Sequence, residues 1–463
     1  MSVLWTAQEL IDGSGGRMDT PFDAKGISID SRSVAPGDLF VALEAARDGH
    51  DFVAQALKAG AAGALVSKVP EGVSEDAPLL IVDDTFEGLE RLGRARRAAT
   101  NARVVAITGS VGKTSTKEML RLALAPFGSV HAAEKSFNNH WGVPLTLARM
   151  PKDAAFAVIE IGMNRPHEIA PLAQMAKPDV ALITTVGLAH VEAFEGIEGI
   201  AQEKGAIFEG LKASGTAIFH DDMDRKALTI VEGLAWQSAA TSLRFGRRGS
   251  AQYRLLDQRI HSDHLVATCA TPDEVLGFSL QTTAPHFAVN AVAVVSVIGA
   301  LGLDVGAAVE ALNAWAPPAG RGTRHEVTGS DGTFTLIDDA YNANPASMEA
   351  ALDVLAAAEP SNGGARVAVL GDMLELGSRT GEFHRAIAEL TAMKSIAKVH
   401  CVGPLMRMLW STLAEGKRGQ WANTPNDLDI DAIARAGDVV LVKGSNGSGV
   451  ARVADALKAL GER

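Results

Sequence analysis

Residues 104–116 read VVAITGSVGKTST and are the strongest single signal in the sequence. An apolar run ends in a turn bracketed by Gly109 and Gly112, and Lys113 and Thr114 then open a helical pattern. Glycines let backbone N–H groups approach phosphate oxygens, and the N-terminus of the following helix adds a positive dipole. Lysine offers a mobile charge to terminal phosphates, and a threonine hydroxyl can ligate Mg²⁺. The stretch predicts a phosphate-binding loop; the alternative is a tight turn between a strand and a helix.

The spacing of this loop is shorter than the standard pattern GxxxxGK[ST]. Ile107 stands where the first glycine would be, so the usable pattern is TGSxGKT. The strand, the turn, the Lys-Thr pair and the helix still follow in the order that phosphate binding requires.

Strand-like runs alternate with helical patterns along the rest of the chain, which predicts an α/β fold with mostly parallel sheets. We divide the chain into three domains, 1–86, 87–323 and 324–463. A polar, basic-faced helix in TFEGLERLGRARRAAT, residues 85–100, connects the first two. The stretch WAPPAGRGTR, residues 315–324, is typical of a linker because it holds two prolines and two glycines.

Composition excludes several classes of protein. The 463 residues include 43 Lys and Arg against 55 Asp and Glu, and the net charge of −12 disfavours binding to a nucleic-acid backbone. The hydrophobic fraction of 47% and the charged fraction of 21% are those of a globular protein, which excludes global disorder. Cys269 and Cys401 lie far apart, which excludes a disulfide framework or a cysteine zinc site and fits a reducing compartment.

Two segments are relevant to where in the cell the protein is found. The first residues, MSVLWTAQELIDG, lack a basic region followed by an apolar run, so we expect no signal peptide. Residues 282–303 carry no formal charge, but their solidly apolar part is too short for a membrane span and predicts a buried helix. We expect a cytoplasmic protein without a membrane span.

Polar groups downstream could complete a nucleotide site. Glu160 ends the strand-like run AVIEIG, and Asp338 and Asp339 end FTLIDDA, at the carboxyl edge where α/β sheets collect ligands. His190 follows another such run, and Lys204 lies in a helical pattern. Each also has an ordinary interpretation, as a solvated carboxylate, a structural histidine or a surface lysine.

Two loops follow strand-like runs in the same way: DDAYNANPASM, residues 338–348, and LGDMLELG, residues 370–377. Asn beside Pro is usual in simple turns, but polar loops at sheet edges also carry function. The residues alone therefore predict a nucleoside-triphosphate enzyme with two further α/β domains, and leave its substrate and reaction open.

In their order along the chain, these motifs resemble the Mur ligase family of peptidoglycan synthesis. The loop YNANP is typical of the branch that adds D-alanyl-D-alanine. The resemblance rests on DSRSVAPGDLFVAL with DGHDF and GAAGALV, ITGSVGKTSTKEM, FNNHWGVPLTL, VIEIGMN, VGLAHVEAF with EKGAIFEGL, DDAYNANPASM, and LGDMLELG with VLVKGS.

The resemblance implies a small α/β UDP-binding N-terminal domain, a central ATPase domain and a Rossmann-like C-terminal domain. It implies a monomeric ligase that uses ATP and Mg²⁺ to join D-alanyl-D-alanine to UDP-N-acetylmuramoyl-tripeptide through an acyl phosphate. The alternatives are a sister ligase that adds a single amino acid, folylpolyglutamate synthase, and a binding protein that uses ATP as a switch.

The resemblance also implies roles for individual residues. The ATP-binding residues would be Thr108, Gly109, Ser110, Gly112, Lys113, Thr114, Ser115, Asn290, Arg321, Asp339, Tyr341 and Asn342. The metal ligands would be Thr114, Glu160, His190 and Lys204, the last through a carbamate. The catalytic groups would be Lys113, Lys204, His190 and Arg321. Substrate would be bound by Ser31 and Arg32, near the uridine diphosphate, and by Asn138 and Asn139, along the muramoyl-peptide path.

Overall fold

The computed structural model describes residues 3–74, 76–134, 136–188, 192–329 and 331–462. Within these ranges the chain forms three sheets that follow one another along the sequence, each with helices packed against it. The predicted α/β class is confirmed.

The first sheet is small and mostly parallel. Its strands are β1 (Arg17–Met18), β2 (Gly26–Ser28), β3 (Asp38–Val41), β4 (Gly63–Val66) and β5 (Leu79–Ile81). Its helices are α1 (Ala7–Ser14), α2 (Val53–Lys58) and α3 (Thr85–Ala98). The strand order is β1-β5-β4-β3-β2, with β1 antiparallel to β5 and the rest parallel. The Asp84 carboxylate accepts the Glu87 N–H and so caps α3, the predicted connecting helix.

The central sheet is larger. Its strands are β6 (Arg103–Thr108), β7 (Val130–Ala132), β8 (Phe156–Glu160), β9 (Val180–Ile183), β10 (Thr216–His220), β11 (Thr241–Gly246), β12 (Tyr253–Ile260), β13 (Leu265–Ala270) and β14 (Val275–Leu280). Its helices are α4 (Lys113–Leu124), α5 (Gly142–Ala148), α6 (Ile169–Ala176), α7 (Gly196–Gly205), α8 (Arg225–Ser238), α9 (His286–Ala300) and α10 (Val305–Leu312). The order is β14-β13-β12-β11-β10-β9-β6-β8-β7. Strands β6 to β12 pair in parallel, and β13 and β14 add antiparallel pairs at one edge.

Both faces of the central sheet are covered. Val105 and Ile107 of β6 join one core with α4 and α9, whereas Val104 and Ala106 join the other with α6, α7 and α8. Alternate residues of a strand point to opposite faces, so a strand covered on both sides is apolar throughout. The apolar stretch at 282–303 supplies α9, most of which is buried in the first of these cores. Among the described residues no helix is long and apolar enough to span a bilayer.

The third sheet follows the linker. Its strands are β15 (Thr323–Gly329), β16 (Gly332–Asp339), β17 (Arg366–Gly371), β18 (Lys398–Val402), β19 (Arg418–Ala422) and β20 (Val439–Lys443). Its helices are α11 (Pro345–Ala357), α12 (Thr380–Ala386), α13 (Met406–Thr412) and α14 (Ala451–Ala459). The order is β15-β16-β20-β17-β18-β19, parallel except for β15. The parallel strands bring the ends of β16, β17 and β20 to the same edge.

The domain divisions at 86 and 323 stay predictions. Helix α3 runs across the first of them, and β15 begins at Thr323, one residue before the predicted third domain. The linker starts from a fixed point, because Trp315 is 1% exposed and its ring meets Phe287 edge-on at 4.9 Å between centroids.

We expect Trp315→Ala to destabilise the central domain by about 3–5 kcal/mol, the cost of removing a large buried aromatic side chain. Denaturant unfolding followed by circular dichroism measures this. Trp236→Ala is the matched control, because Trp236 is 69% exposed and its removal should change stability by less than about 0.5 kcal/mol. Equal midpoints for the two variants would contradict the prediction.

Candidate active site

The loop between β6 and α4 has the backbone of a phosphate-binding turn. Gly109 has φ +151° and Gly112 has φ +85°, and α4 begins directly after Gly112. A Cβ atom on Gly109 would lie 1.9 Å from Thr184 Oγ1, so no side chain fits there. A Cβ atom on Gly112 would lie 3.2 Å from the Asn290 side chain, which places Asn290 beside the loop. The N–H groups at the start of α4 therefore face a ligand position without obstruction by side chains.

Lys113 lies over this loop. Its Nζ donates to the Gly109 carbonyl oxygen at 2.5 Å. Burial lowers the pKa of Lys113, the charge of Glu160 opposes that shift, and the charge of Arg321 adds to it. The ammonium is therefore held among few compensating charges, where an anionic ligand would be strongly attracted.

Glu160 is the centre of a buried network next to Lys113. It ends β8, is 1% exposed, and accepts from Asn138 Nδ2 at 2.8 Å and from Thr114 Oγ1 at 2.9 Å. Ser136 Oγ lies 3.0 Å from Thr114 Oγ1. Carboxylate and hydroxyl oxygens are the ligands that Mg²⁺ prefers, so this donor set fits a magnesium ion.

Arg321 connects the linker to this network. Its Nη2 donates to Thr114 Oγ1 at 2.9 Å and to Ser136 Oγ at 3.2 Å. Its guanidinium carbon lies 4.1 Å from the centroid of the Tyr341 ring, within cation–π range. One arginine thus contacts both the central sheet's loop and the loop that follows β16.

Asp339, which is half-buried, and Lys443, which is buried, form an ion pair on the third sheet. They are register partners at the ends of β16 and β20, and Lys443 Nζ donates to Asp339 Oδ2 at 2.7 Å. Lys443 Nζ also donates to the Asn342 carbonyl oxygen at 3.0 Å. Burial raises the pKa of Asp339, and the charge of Lys443 opposes that shift. The pair fixes the start of the 338–348 loop.

The Asn-Pro sequence in this loop is a helix cap. The Asn344 side chain accepts the Ser347 N–H at 2.9 Å, and Pro345 is the first residue of α11. Asn344 Nδ2 also donates to the Ser110 carbonyl oxygen at 3.5 Å. The cap therefore places the start of α11 against the phosphate-binding loop.

Lys204 is a buried lysine that forms no ion pair with the described residues. It is 1% exposed, and in the described part of the chain its one hydrogen-bond contact is Met163 Sδ at 3.7 Å. Burial lowers its pKa well below the ordinary value, the charge of Lys113 lowers it further, and Glu203 opposes the shift. The neutral form of the Lys204 amine is therefore more highly populated than that of a surface lysine.

The neighbouring Glu203 does not pair with Lys204, because its carboxylate is committed elsewhere. It accepts the N–H groups of His167, Glu168 and Ile169 at 2.7, 3.0 and 2.8 Å, at the start of α6. The carboxylate thus stabilises the positive end of that helix.

These groups line one cavity of about 970 Å³ between the central and third sheets. That volume accommodates a nucleotide-sized ligand. The sequence-predicted residues that line it are Ser110, Gly112, Lys113, Thr114, Ser115, Asn138, Asn139, Glu160, Lys204, Asn290, Arg321, Asp339, Tyr341 and Asn342.

Other predicted residues lie elsewhere. Thr108 ends β6 and Gly109 begins the loop, and neither lines the cavity. Ser31 and Arg32 lie on the first domain, where Ser31 Oγ donates to Gln55 and Arg32 pairs with Asp30. His190 falls outside the described residues.

The lining residues that the sequence did not assign to the site include Ser136, Asn344 and Lys443. Lys443 had a usable signal, since it ends an apolar strand as Glu160 does. Asn344 was visible only as part of a turn, and nothing in the sequence singles out Ser136.

Comparisons with known proteins agree with this geometry. Residues 23–97 match "Mur ligase family, catalytic domain", residues 107–298 match "Mur ligase middle domain", and residues 323–446 match "Mur ligase, glutamate ligase domain". The UDP-N-acetylmuramoyl-tripeptide–D-alanyl-D-alanine ligase of Escherichia coli is 36% identical over 85% of this chain and 84% of its own length. The enzyme of the same name from Rickettsia prowazekii is 30% identical over 98% and 99%.

Solved structures give the same result. MurF from Acinetobacter baumannii aligns with a TM-score of 0.83 and 28% identity, covering 98% of both chains. MurF ligase from Thermotoga maritima in complex with ADP aligns with a TM-score of 0.79 and 28% identity, covering 95% of this chain and 98% of that one. The chain belongs to the Mur ligase family.

We expect Gly109→Ala to abolish ATP binding, because its Cβ would displace Thr184 and distort the loop. Calorimetric titration with ATP and Mg²⁺ measures this. Gly233→Ala is the control, since nothing lies within 4 Å of a Cβ atom there and alanine favours helix α8. Normal ATP affinity in Gly109→Ala would show that this loop does not bind phosphate.

Proposed function

We propose that this protein is an ATP-dependent ligase that joins D-alanyl-D-alanine to the terminal carboxylate of UDP-N-acetylmuramoyl-tripeptide. One observation carries the proposal: the phosphate-binding loop and the YNANP loop meet in one cavity, through Asn344 and Ser110 and through Tyr341 and Arg321. The near full-length relatives that bear this activity in their names support it.

The chemistry explains why ATP is needed. A carboxylate is a poor electrophile, because its negative charge repels an attacking amine. Attack of the tripeptide carboxylate on the γ-phosphate of ATP forms an acyl phosphate and releases ADP. The amine of the dipeptide then attacks the carbonyl carbon, the amide bond forms and phosphate leaves.

The cavity supplies the positive charge that this reaction requires. Lys113 and Arg321 would contact the phosphates, and both face the cavity. Thr114 would hold one Mg²⁺ ion, and Glu160 and His190, with a carbamate on Lys204 beside them, would serve a second. Bound Mg²⁺ would neutralise phosphate charge in the transition state.

The third domain would keep water from the acyl phosphate. Gly320 and Gly322, with φ +71° and +87°, flank Arg321 in the linker and provide a flexible connection. Asn290 would contact the adenine, and Asp339, Tyr341 and Asn342 would close over the nucleotide. The amine of the dipeptide has a reference pKa of about 8, so it must lose a proton before it attacks.

Lys204 fits carbamylation chemically. Its neutral amine would attack CO₂ to give a carbamate and release one proton, which converts a buried cation into a carboxylate-like ligand. The lowered pKa and the absence of an ion pair among the described residues both favour the amine form.

The remaining assignments extend this proposal. The first domain, with Ser31 and Arg32, would bind the uridine diphosphate, and Asn138 and Asn139 would lie along the peptide path. The protein would act as a cytoplasmic monomer.

The decisive assay measures ADP release with UDP-N-acetylmuramoyl-tripeptide, Mg²⁺ and ATP, with and without D-alanyl-D-alanine. We expect release to depend on the dipeptide, and Lys113→Ala to abolish it while leaving binding of the UDP substrate nearly intact. Turnover with meso-diaminopimelate, D-glutamate, or folate plus glutamate instead would indicate a related ligase. Tight ATP binding without acceptor-dependent turnover would indicate a nucleotide switch.

We expect Lys204→Ala to be inactive and to regain part of its activity with added short carboxylates, which would occupy the carbamate's position. The same ADP assay measures this. Lys226→Ala is the control, because its side chain is 73% exposed and pairs with Glu198 on the surface. Full activity of Lys204→Ala without an additive would exclude the carbamate.

A further inference from the structure

We propose that Ser136 is a positioning residue that holds Arg321 beside the terminal phosphate of ATP once the Thr114 hydroxyl is ligated to a cation. The inference rests on the ATP use described in the proposed function. Ser136 belongs to the loop that precedes Asn138 and lines the cavity.

The geometry joins three side chains at one point. Arg321 Nη2 donates to Thr114 Oγ1 at 2.9 Å and to Ser136 Oγ at 3.2 Å, and the two hydroxyl oxygens lie 3.0 Å apart. Ser136 is half-buried.

The Thr114 hydroxyl uses its full hydrogen-bonding capacity. A hydroxyl donates one proton and accepts two. The Thr114 proton goes to Glu160, and its two acceptor positions take Arg321 and Ser136. A cation that binds the Thr114 oxygen takes one acceptor position, so one of these two donors must move.

Ser136 offers Arg321 an alternative acceptor. Its oxygen already accepts from the same Arg321 nitrogen, and its own proton is then free to turn toward another acceptor. The guanidinium can therefore release Thr114 to the cation and keep a hydrogen bond that fixes its position.

Other contacts hold Arg321 less firmly. In the described ranges its side chain also contacts the face of Tyr341, an interaction that is non-directional compared with a hydrogen bond. The N–H of Arg321 donates to the Pro318 carbonyl oxygen, but this backbone contact does not orient the guanidinium. Without Ser136, Arg321 would lose its directional anchor whenever a cation occupies Thr114.

The test is a binding comparison that does not depend on ligation. A non-hydrolysable ATP analogue and ADP, each with Mg²⁺, are titrated into the wild type, Ser136→Ala, Ser136→Thr, Arg321→Ala and the double variant Ser136→Ala/Arg321→Ala. We expect Ser136→Ala to weaken binding of the triphosphate by roughly 10–100-fold, the value of a hydrogen bond to a charged group, and binding of ADP by less than about threefold. Ser136→Thr should bind as the wild type does.

The double variant distinguishes positioning from a general structural role. We expect Ser136→Ala to have no further effect when Arg321 is already alanine. Ser129→Ala is the matched control, because its hydroxyl accepts the Ala155 N–H at 3.0 Å and donates to the Asp153 carbonyl oxygen at 3.3 Å, outside the cavity. If Ser136→Ala does not fold, Ser136→Cys replaces it, since sulfur is a weak acceptor of similar size.

Equal losses for ATP analogue and ADP, or additive effects with Arg321→Ala, would overturn the inference. Wild-type binding in Ser136→Ala would overturn it as well. A wild type that binds ATP but joins no dipeptide contradicts the proposed function alone, because the binding comparison still decides the role of Ser136.

Discussion

The cavity brings the basic side chains of Lys113, Lys204 and Arg321 together beside the buried carboxylate of Glu160. Neighbouring charges in this group disfavour protonation. The charge of Arg321 lowers the pKa of Lys113, and the charge of Lys113 lowers the pKa of Lys204. The positive charge of Lys443 is already neutralised by Asp339. Phosphate groups bound beside Lys113 and Arg321 would relieve the repulsion between these two side chains, so the folded chain holds its stabilising charges in place before the substrate arrives.

The two parallel sheets make that arrangement possible. Lys113 and Glu160 follow neighbouring strands β6 and β8, and Asp339 and Lys443 follow neighbouring strands β16 and β20. Because the carboxyl ends of parallel strands share an edge, each sheet contributes one cluster, and the two edges face each other across the cavity. The linker then supplies Arg321 at their junction.

Prediction from sequence succeeded where a local pattern determines structure. The strand, glycine turn and helix around Lys113 are encoded by adjacent residues, and Glu160 ends an apolar run. The antiparallel strands β13 and β14 were missed, because their pairing depends on hairpins at a sheet edge rather than on a strand–helix alternation. The burial of Lys204 and the contacts of Ser136 depend on residues that are distant in sequence. A local sequence pattern cannot predict them.

Trp315 fixes one end of the connection between the central and third domains. Its indole is buried in the central core, and Thr323 already belongs to β15, so a rotation of the third domain would have to act through residues 316–322. Arg321 lies inside that short segment. A domain movement that separated the central and third sheets would therefore also move the guanidinium away from Thr114. Opening of the cavity would then remove the positive charge of Arg321 from the phosphate position.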